Sequence, residues 1–268
     1  MLNIFFILTI DTSIYGFSFL QSEHETPSAH PHILYGIPKG TSTSNYYIKR
    51  KIYTLSSNNG TKMADWVAYI VTLSHFDCDE NTSRYWVADP EIDPEHTLEP
   101  GDYENANKIL FTDRGHQAPL ASFKCTEYWK ETNYLSNITP QKSDLNQGSW
   151  KKLEILVRSK AESSGNDIYV ITGPLFERDM LVLPEADEPH QIPSGYWKIL
   201  VDASTGNPQS WKIAAFIFDQ DTEKNSKVLS HKVTVDEIEE RSGLDFFHAL
   251  DDLTENKLES NKDSVWIN

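Results

Sequence analysis

Thr112-Asp113-Arg114-Gly115-His116-Gln117-Ala118-Pro119 is the stretch on which the reading of this chain turns. It sets a carboxylate, a guanidinium, a glycine and an imidazole side by side. Neutral imidazole, with a reference pKa near 6.5, accepts a proton from water at physiological pH, as a general base must. Arg114 supplies a planar fork of donors that suits a phosphate. Gly115 relieves backbone crowding and lets His116 reach into a cleft. Asp113 takes a structural role, holding a neighbouring donor or ending a strand. An isolated histidine is more often a hydrogen-bonded or surface residue than a catalyst, and the chain has nine. His116 is distinguished by its company.

Two further polar clusters follow, Tyr134-Leu135-Ser136-Asn137-Ile138-Thr139-Pro140-Gln141 and Leu145-Asn146-Gln147-Gly148-Ser149-Trp150-Lys151-Lys152-Leu153-Glu154. Asn137 and Asn146 are neutral oxygen donors, and Asn137 in its Ser/Thr/Pro setting also reads as a turn residue. Mg²⁺ keeps several waters and needs only one or two protein oxygens when the substrate brings phosphate, so a single asparagine can suffice. Leu153, Leu156, Val157 and Lys160 recur at helical spacing and predict a helix over 149–160, stopped by Gly165. If that helix begins near Leu145, Asn146, Glu154 and Arg158 share one stripe. At 1.5 Å rise per residue, Asn146 and Glu154 would lie roughly 12 Å apart, too far to ligate one ion together, so Glu154 would act through bound water. For Glu154 and Arg158 the plain alternative is a surface salt bridge.

These clusters sit in a basic island. Residues 105–160 carry nine Lys and Arg against five Asp and Glu, a net +4, whereas the whole chain of 268 residues carries -16. The remainder is therefore at -20, which excludes a basic scaffold that coats nucleic acid or an anionic membrane over its whole surface. A polyanion site must be local. With 38% hydrophobic and 12% aromatic residues the chain can build a packed core, and it is not a disordered protein. Cys78 and Cys125 lack the CxxC pairing of a zinc or redox site and form one disulfide at most; whether they bond is left open by the sequence.

Residues 1–20, with the apolar run Leu2 to Ile10, read as a signal peptide or tail, and no later stretch is long and apolar enough for a membrane helix. Residues 21–43 read as linker and loop, 44–250 as a single domain, and 251–268 as a flexible charged tail. Tyr46–Tyr53 and Trp66–Val71 predict a strand pair turned at Asn59-Gly60. Residues 77–104 are acidic and punctuated by Pro, the composition of a long surface loop, with Arg84 as its one cation. Strands are expected over 167–172, 196–201 and 211–218, and a short helix begins at Thr234, with Glu237 completing a capping box and Gly243 as the stop.

Asp113-Arg114-Gly115-His116, Ser136 to Gln141, Leu145 to Trp150 and Leu153-Glu154 together resemble the DNA/RNA non-specific endonuclease family, the DRGH nucleases. Weaker similarity extends over roughly residues 33–247. The resemblance implies an α+β fold, a ββα-metal core on a central antiparallel sheet flanked by helices. It implies a metal-dependent endonuclease that hydrolyses phosphodiester bonds of DNA and RNA. By the same resemblance His116 is the general base, Asn146 the direct ligand of one Mg²⁺ (Mn²⁺ may substitute), Glu154 a holder of water on that ion, and Asn137 the residue that orients His116. Arg84 falls where the family has a transition-state or leaving-group arginine; Arg114 and Arg158 match phosphate-contacting positions, with Asp113 supporting. DNA and RNA are the expected partners, with an inhibitor protein as a further one, the chain being a monomer or homodimer, exported or periplasmic. An inactive binding relative and a small-substrate phosphodiesterase are the rival readings.

Overall fold

The computed structural model describes residues 31–262 and 265–267, so the expected signal segment lies outside the described residues. In chain order the elements are β1 (Tyr46–Lys49), β2 (Tyr53–Asn58), β3 (Met63–Val71), α1 (Ala106–Leu110), β4 (Thr112–His116), β5 (Ile138–Lys142), α2 (Ser143–Leu145), α3 (Lys151–Ser164), β6 (Ile168–Leu175), β7 (Gly195–Asp202), β8 (Lys212–Asp219), β9 (Lys232–Val233), α4 (Val235–Ser242) and α5 (Asp252–Glu259). Seven strands form one antiparallel sheet in the order β1-β2-β3-β6-β7-β8-β9, and β4 and β5 form a separate antiparallel pair. This is the mixed α and β architecture, with a large antiparallel sheet, that the resemblance implies.

The sheet is covered on both faces, which explains why its central strands are apolar throughout rather than alternating. All of β7 is buried. Its Tyr196 and Leu200 point into a core with Trp150, Leu153 and Val157; its Trp197, Ile199 and Val201 point into a second core with Phe246 and Leu258. The β4-β5 pair is fastened to the sheet by its Pro140 carbonyl, which accepts from Tyr196 Oη at 2.8 Å and Gln220 Nε2 at 2.9 Å.

Several expectations change. Tyr46–Tyr53 is not one strand but the edge hairpin β1-β2, because Arg50 turns inward: its N–H donates to the Tyr53 carbonyl at 2.8 Å and its guanidinium pairs with fully buried Asp89. Residues 31–43 are not a linker. Ile33 is buried and Lys39 exchanges backbone hydrogen bonds with Asp245, since the apolar run Ile33 to Ile37 has a core to join. Nor is the chain beyond Leu250 simply a flexible tail: Asp251 caps α5 by accepting from the Thr254 N–H, and Leu258 is buried. The predicted helix 149–160 is realised as α3, shifted by two residues at its start and run on to Ser164, with Gly165 at φ 69° closing it. The helix at Thr234 is α4, with Thr234 Oγ1 accepting from Glu237 N–H at 3.0 Å and Gly243 in the left-handed region.

Candidate active site

The site is built where β4, β5 and α3 meet. Gly115 lets β4 lie against β5: a Cβ there would stand 2.6 Å from Gln141 Oε1 and 2.8 Å from its Cβ. His116, next along β4, sits at the inner end of an open cleft of about 470 Å³. Arg84, Asp113, Arg114, Asn146, Glu154 and Arg158 line the same cleft. All the residues singled out in the sequence therefore converge except Asn137.

His116 is 9% exposed. Its Nε2 lies 3.4 Å from Asn133 Oδ1, and the Trp86 ring is 5.3 Å away. Burial first, and the positive charge of Arg84 second, push its pKa down to about 4. The ring is consequently neutral at physiological pH.

Asn137 does not touch the His116 ring. Fully buried, it spends its amide on the backbone: Oδ1 accepts from Ala118 N–H at 2.8 Å, and Nδ2 donates to the carbonyls of Ala118 and Thr132, each at 2.9 Å. Its own carbonyl accepts from Gln117 N–H at 2.9 Å. It thus pins the chain just after His116, and the side chain hydrogen-bonded to the imidazole is Asn133.

Asp113 organises the opposite wall. Its Oδ2 accepts from Asn146 Nδ2 and Gln147 Nε2, both at 2.9 Å, and its Oδ1 accepts from Ser143 Oγ and Asn107 Nδ2, both at 2.8 Å. Burial works to raise its pKa, but the four donated hydrogen bonds outweigh it and hold the carboxylate below its ordinary value. Asn146 follows α2 at the start of an irregular turn, Asn146–Trp150, that leads into α3; Gly148, at φ -99° and ψ -113°, breaks the helix there. The stripe imagined for a continuous helix is therefore interrupted, yet Asn146, Glu154 and Arg158 still face one cleft.

Glu154 makes no ion pair with Arg158 and no hydrogen bond to a described residue, so the surface salt bridge is not formed. Burial raises its pKa, opposed by the charges of Lys198, Arg158, Arg84 and Lys151 in that order. Lys198 was not read from the sequence. It is fully buried on β7, its Nζ bonded to Tyr69 Oη at 3.1 Å and 4.3 Å from the centre of the Trp150 ring. A lysine in an otherwise apolar strand was the available signal. Arg114 stacks on Tyr103 at 5.0 Å and Trp86 at 5.6 Å and donates to the Pro100 carbonyl, and burial lowers its pKa. Arg158 approaches Ser122 Oγ at 3.4 Å.

Arg84 arrives from the acidic loop, which is tied down at three places. Cys78 is disulfide-bonded to Cys125, Val87 exchanges backbone hydrogen bonds with Asn133 and Leu135, and Asp89 accepts from Arg50 and Ser136. The exposed Arg84 thereby lines the cleft with His116 and Glu154, and its charge acts on both.

Residues 31–253 match the model of the DNA/RNA non-specific endonuclease family. A nuclease of Serratia marcescens is 46% identical over 226 residues, which is 84% of this chain and 83% of that one. The chain belongs to the DNA/RNA non-specific endonuclease family. This nuclease is also 26% identical to the mitochondrial nuclease EXOG of Danio rerio, over 86% of its own length and 68% of the relative's. Its fold is similar to that of a chain in the crystal structure of the EndoG/EndoGI complex, with a TM-score of 0.68 at 20% identity, covering 81% of this chain and 91% of that one. The enzyme is a hydrolase, an endonuclease acting on DNA and RNA. No described helix is long and apolar enough to cross a membrane.

Proposed function

We propose that the nuclease hydrolyses phosphodiester bonds with His116 as general base and one Mg²⁺ on Asn146, Mn²⁺ being able to substitute. The observation that carries this reading is the pairing of a buried neutral imidazole with an asparagine amide fixed by Asp113 across one cleft. With Nδ2 engaged by Asp113, Asn146 has its Oδ1 to offer, and Glu154 brings a carboxylate without a hydrogen-bond partner among the described residues. Hard oxygen donors of this kind, few in number, fit Mg²⁺ completed by water and substrate phosphate. When bound, the ion would neutralise charge developing on the phosphate and the leaving 3′ oxygen.

The protein's own groups do the rest. Neutral His116 takes the proton from the attacking water, its ring steadied by Asn133, while Asn137 fixes the backbone that follows. Arg84 stands beside His116 and meets the charge that builds on the phosphate in the transition state. Arg114 and Arg158 hold flanking phosphates, and Glu154 would hold water for the ion when it is bound. Such a site reads phosphate rather than base edges, which accounts for acceptance of both DNA and RNA.

Purified protein is tested on supercoiled plasmid and single-stranded RNA with Mg²⁺ or EDTA. Metal-dependent cleavage of both, lowered by about 10²-fold or more in His116→Ala and Asn146→Ala, is expected. Cleavage that survives either substitution would overturn the assignment of that residue.

We also infer export, supported by the disulfide, which suits an oxidising compartment, and by the apolar run at the N-terminus. Amino-terminal sequencing of protein recovered from the medium, giving a start within or after residues 11–30, checks it. An inhibitor protein that blocks the cleft is the further partner proposed, supported by the fold shared with a chain of an inhibited nuclease complex.

A further inference from the structure

Helix α1 ends in an aromatic residue that the fold leaves outside. Ala106 is buried and Leu110 packs against the core, which anchors the helix, whereas Phe111 is 69% exposed. It closes α1 in the left-handed region, at φ 54° and ψ 39°, a place ordinarily given to Gly or Asn. The conformation is held from both sides: the Phe111 N–H donates to the Asn107 carbonyl at 3.1 Å, and the Phe111 carbonyl accepts from the Ser143 N–H at 2.8 Å. An exposed ring on a strained backbone adds little to folding, and strain of this kind gathers at functional sites.

The ring borders an open cavity of about 350 Å³ whose wall also carries Lys142, Ser143, Asp144 and Glu223. Cavity and catalytic cleft share a partition. Asn107 and Asp113 line the cleft, and both are hydrogen-bonded to Ser143 Oγ, at 3.1 Å and 2.8 Å. Asp113 in turn holds Asn146. Charge differs across this wall. The cleft sets Arg84, Arg114, Lys151 and Arg158 against Asp113 and Glu154, a balance that takes phosphate. The cavity sets Asp144 and Glu223 against Lys142, with its Asp221 paired to Arg178, a balance that turns phosphate away and admits a flat, neutral ring.

We propose that Phe111 and this cavity form a stacking subsite for an unpaired nucleobase of the strand whose phosphate lies at Asn146. The inference rests on the cleft reading above for the position of that phosphate. Every base has a π-face, so stacking on Phe111 adds affinity without choosing sequence. A base in a duplex must first leave its partner and its stack, so the subsite favours single strands over duplex.

The test compares the parent with Phe111→Gly and Phe111→Trp on single-stranded RNA and on duplex plasmid, with the melting temperature measured alongside. In Phe111→Gly the ratio of kcat/KM for RNA to that for plasmid should fall by at least about fivefold, the size of one lost base–aromatic stack. Its melting temperature should hold or rise, because Gly takes the left-handed backbone without strain. Phe111→Trp should keep the ratio at or above that of the parent. In EDTA, affinity for a single-stranded oligonucleotide, read by fluorescence anisotropy, should weaken in Phe111→Gly by the same factor. A ratio that Phe111→Gly leaves unchanged would overturn the proposal, as would one that Phe111→Trp lowers equally. A lowered melting temperature with both substrates falling in proportion would overturn it too, assigning the ring to packing. These outcomes leave His116 and Asn146 untouched, since their roles are read from their own variants.

Discussion

Asn146 Nδ2 donates to Asp113 Oδ2 at 2.9 Å, so the amide proposed to hold the metal is oriented by the carboxylate that begins the Asp113-Arg114-Gly115-His116 run. Base and ligand positions are thus set by one short strand. Asp113→Ala frees the amide to rotate and removes the anchor of Ser143 and Gln147 as well. Outer partners of metal ligands are worth about 10–100-fold, so the Mg²⁺ concentration for half-maximal cleavage should rise by that factor. A titration of Mg²⁺ in the plasmid assay measures it; an unchanged midpoint would mean that Asn146 does not hold the metal.

His116 gives stability a pH dependence. Its folded pKa, lowered to about 4 from 6.5, means that the unfolded chain binds the proton first as pH falls. The contribution is complete above about pH 6.5, is lost between there and about pH 4, and totals on the order of 3 kcal/mol. Urea unfolding across that window should show a shallower slope in His116→Asn than in the parent.

Lys198 is the largest charge favouring ionised Glu154, which burial otherwise pushes toward the protonated form. Lys198→Met keeps the volume but removes the main charge that compensates Glu154, so stability should fall at neutral pH. Glu154 should then protonate at higher pH, and the acid limb of the rate profile should move upward. A profile that only scales down uniformly would assign Lys198 to packing alone.

Gly148 passes so close to the 224 backbone that a Cβ would stand 2.5 Å from the Lys224 carbonyl oxygen and 2.8 Å from its Cα. Neither atom can yield as a flexible side-chain end would. Gly148→Ala should cost about 1–3 kcal/mol in denaturant unfolding and lower activity through displacement of Asn146.

The Cys78–Cys125 bridge closes a 47-residue separation containing both Arg84 and His116. Replacing both cysteines with serine should cost about 2–4 kcal/mol by the loop-closure account. Cleavage should fall as well, because the tether that brings Arg84 to the cleft is gone. Melting and plasmid cleavage with and without reductant give the same answer without mutation.

The candidate site was legible because it is local. Asp113 to His116 is one strand, Asn146 to Arg158 spans one turn and one helix, and strand β7 and the capped helix α4 declare themselves through branched side chains and Thr234-Glu237. Other features were not legible because each depends on a distant partner. Tyr46–Tyr53 looks like one strand until Asp89 draws Arg50 inward. The charged stretch after Leu250 becomes α5 only where Leu258 finds the core beside Phe246. Asn137 could be placed at the site from its motif, but not its task, because the carbonyl of Thr132 and the N–H of Ala118 claim its amide first. Sequence by itself determined the residue types, the short-range spacing and the helix stops, since these follow from backbone preference and side-chain chemistry. Tertiary structure alone decided which side chains share a low-dielectric cleft, bringing Asn133 and Lys198 to His116 and Glu154, because burial and long-range contact set the charge states on which the reaction depends.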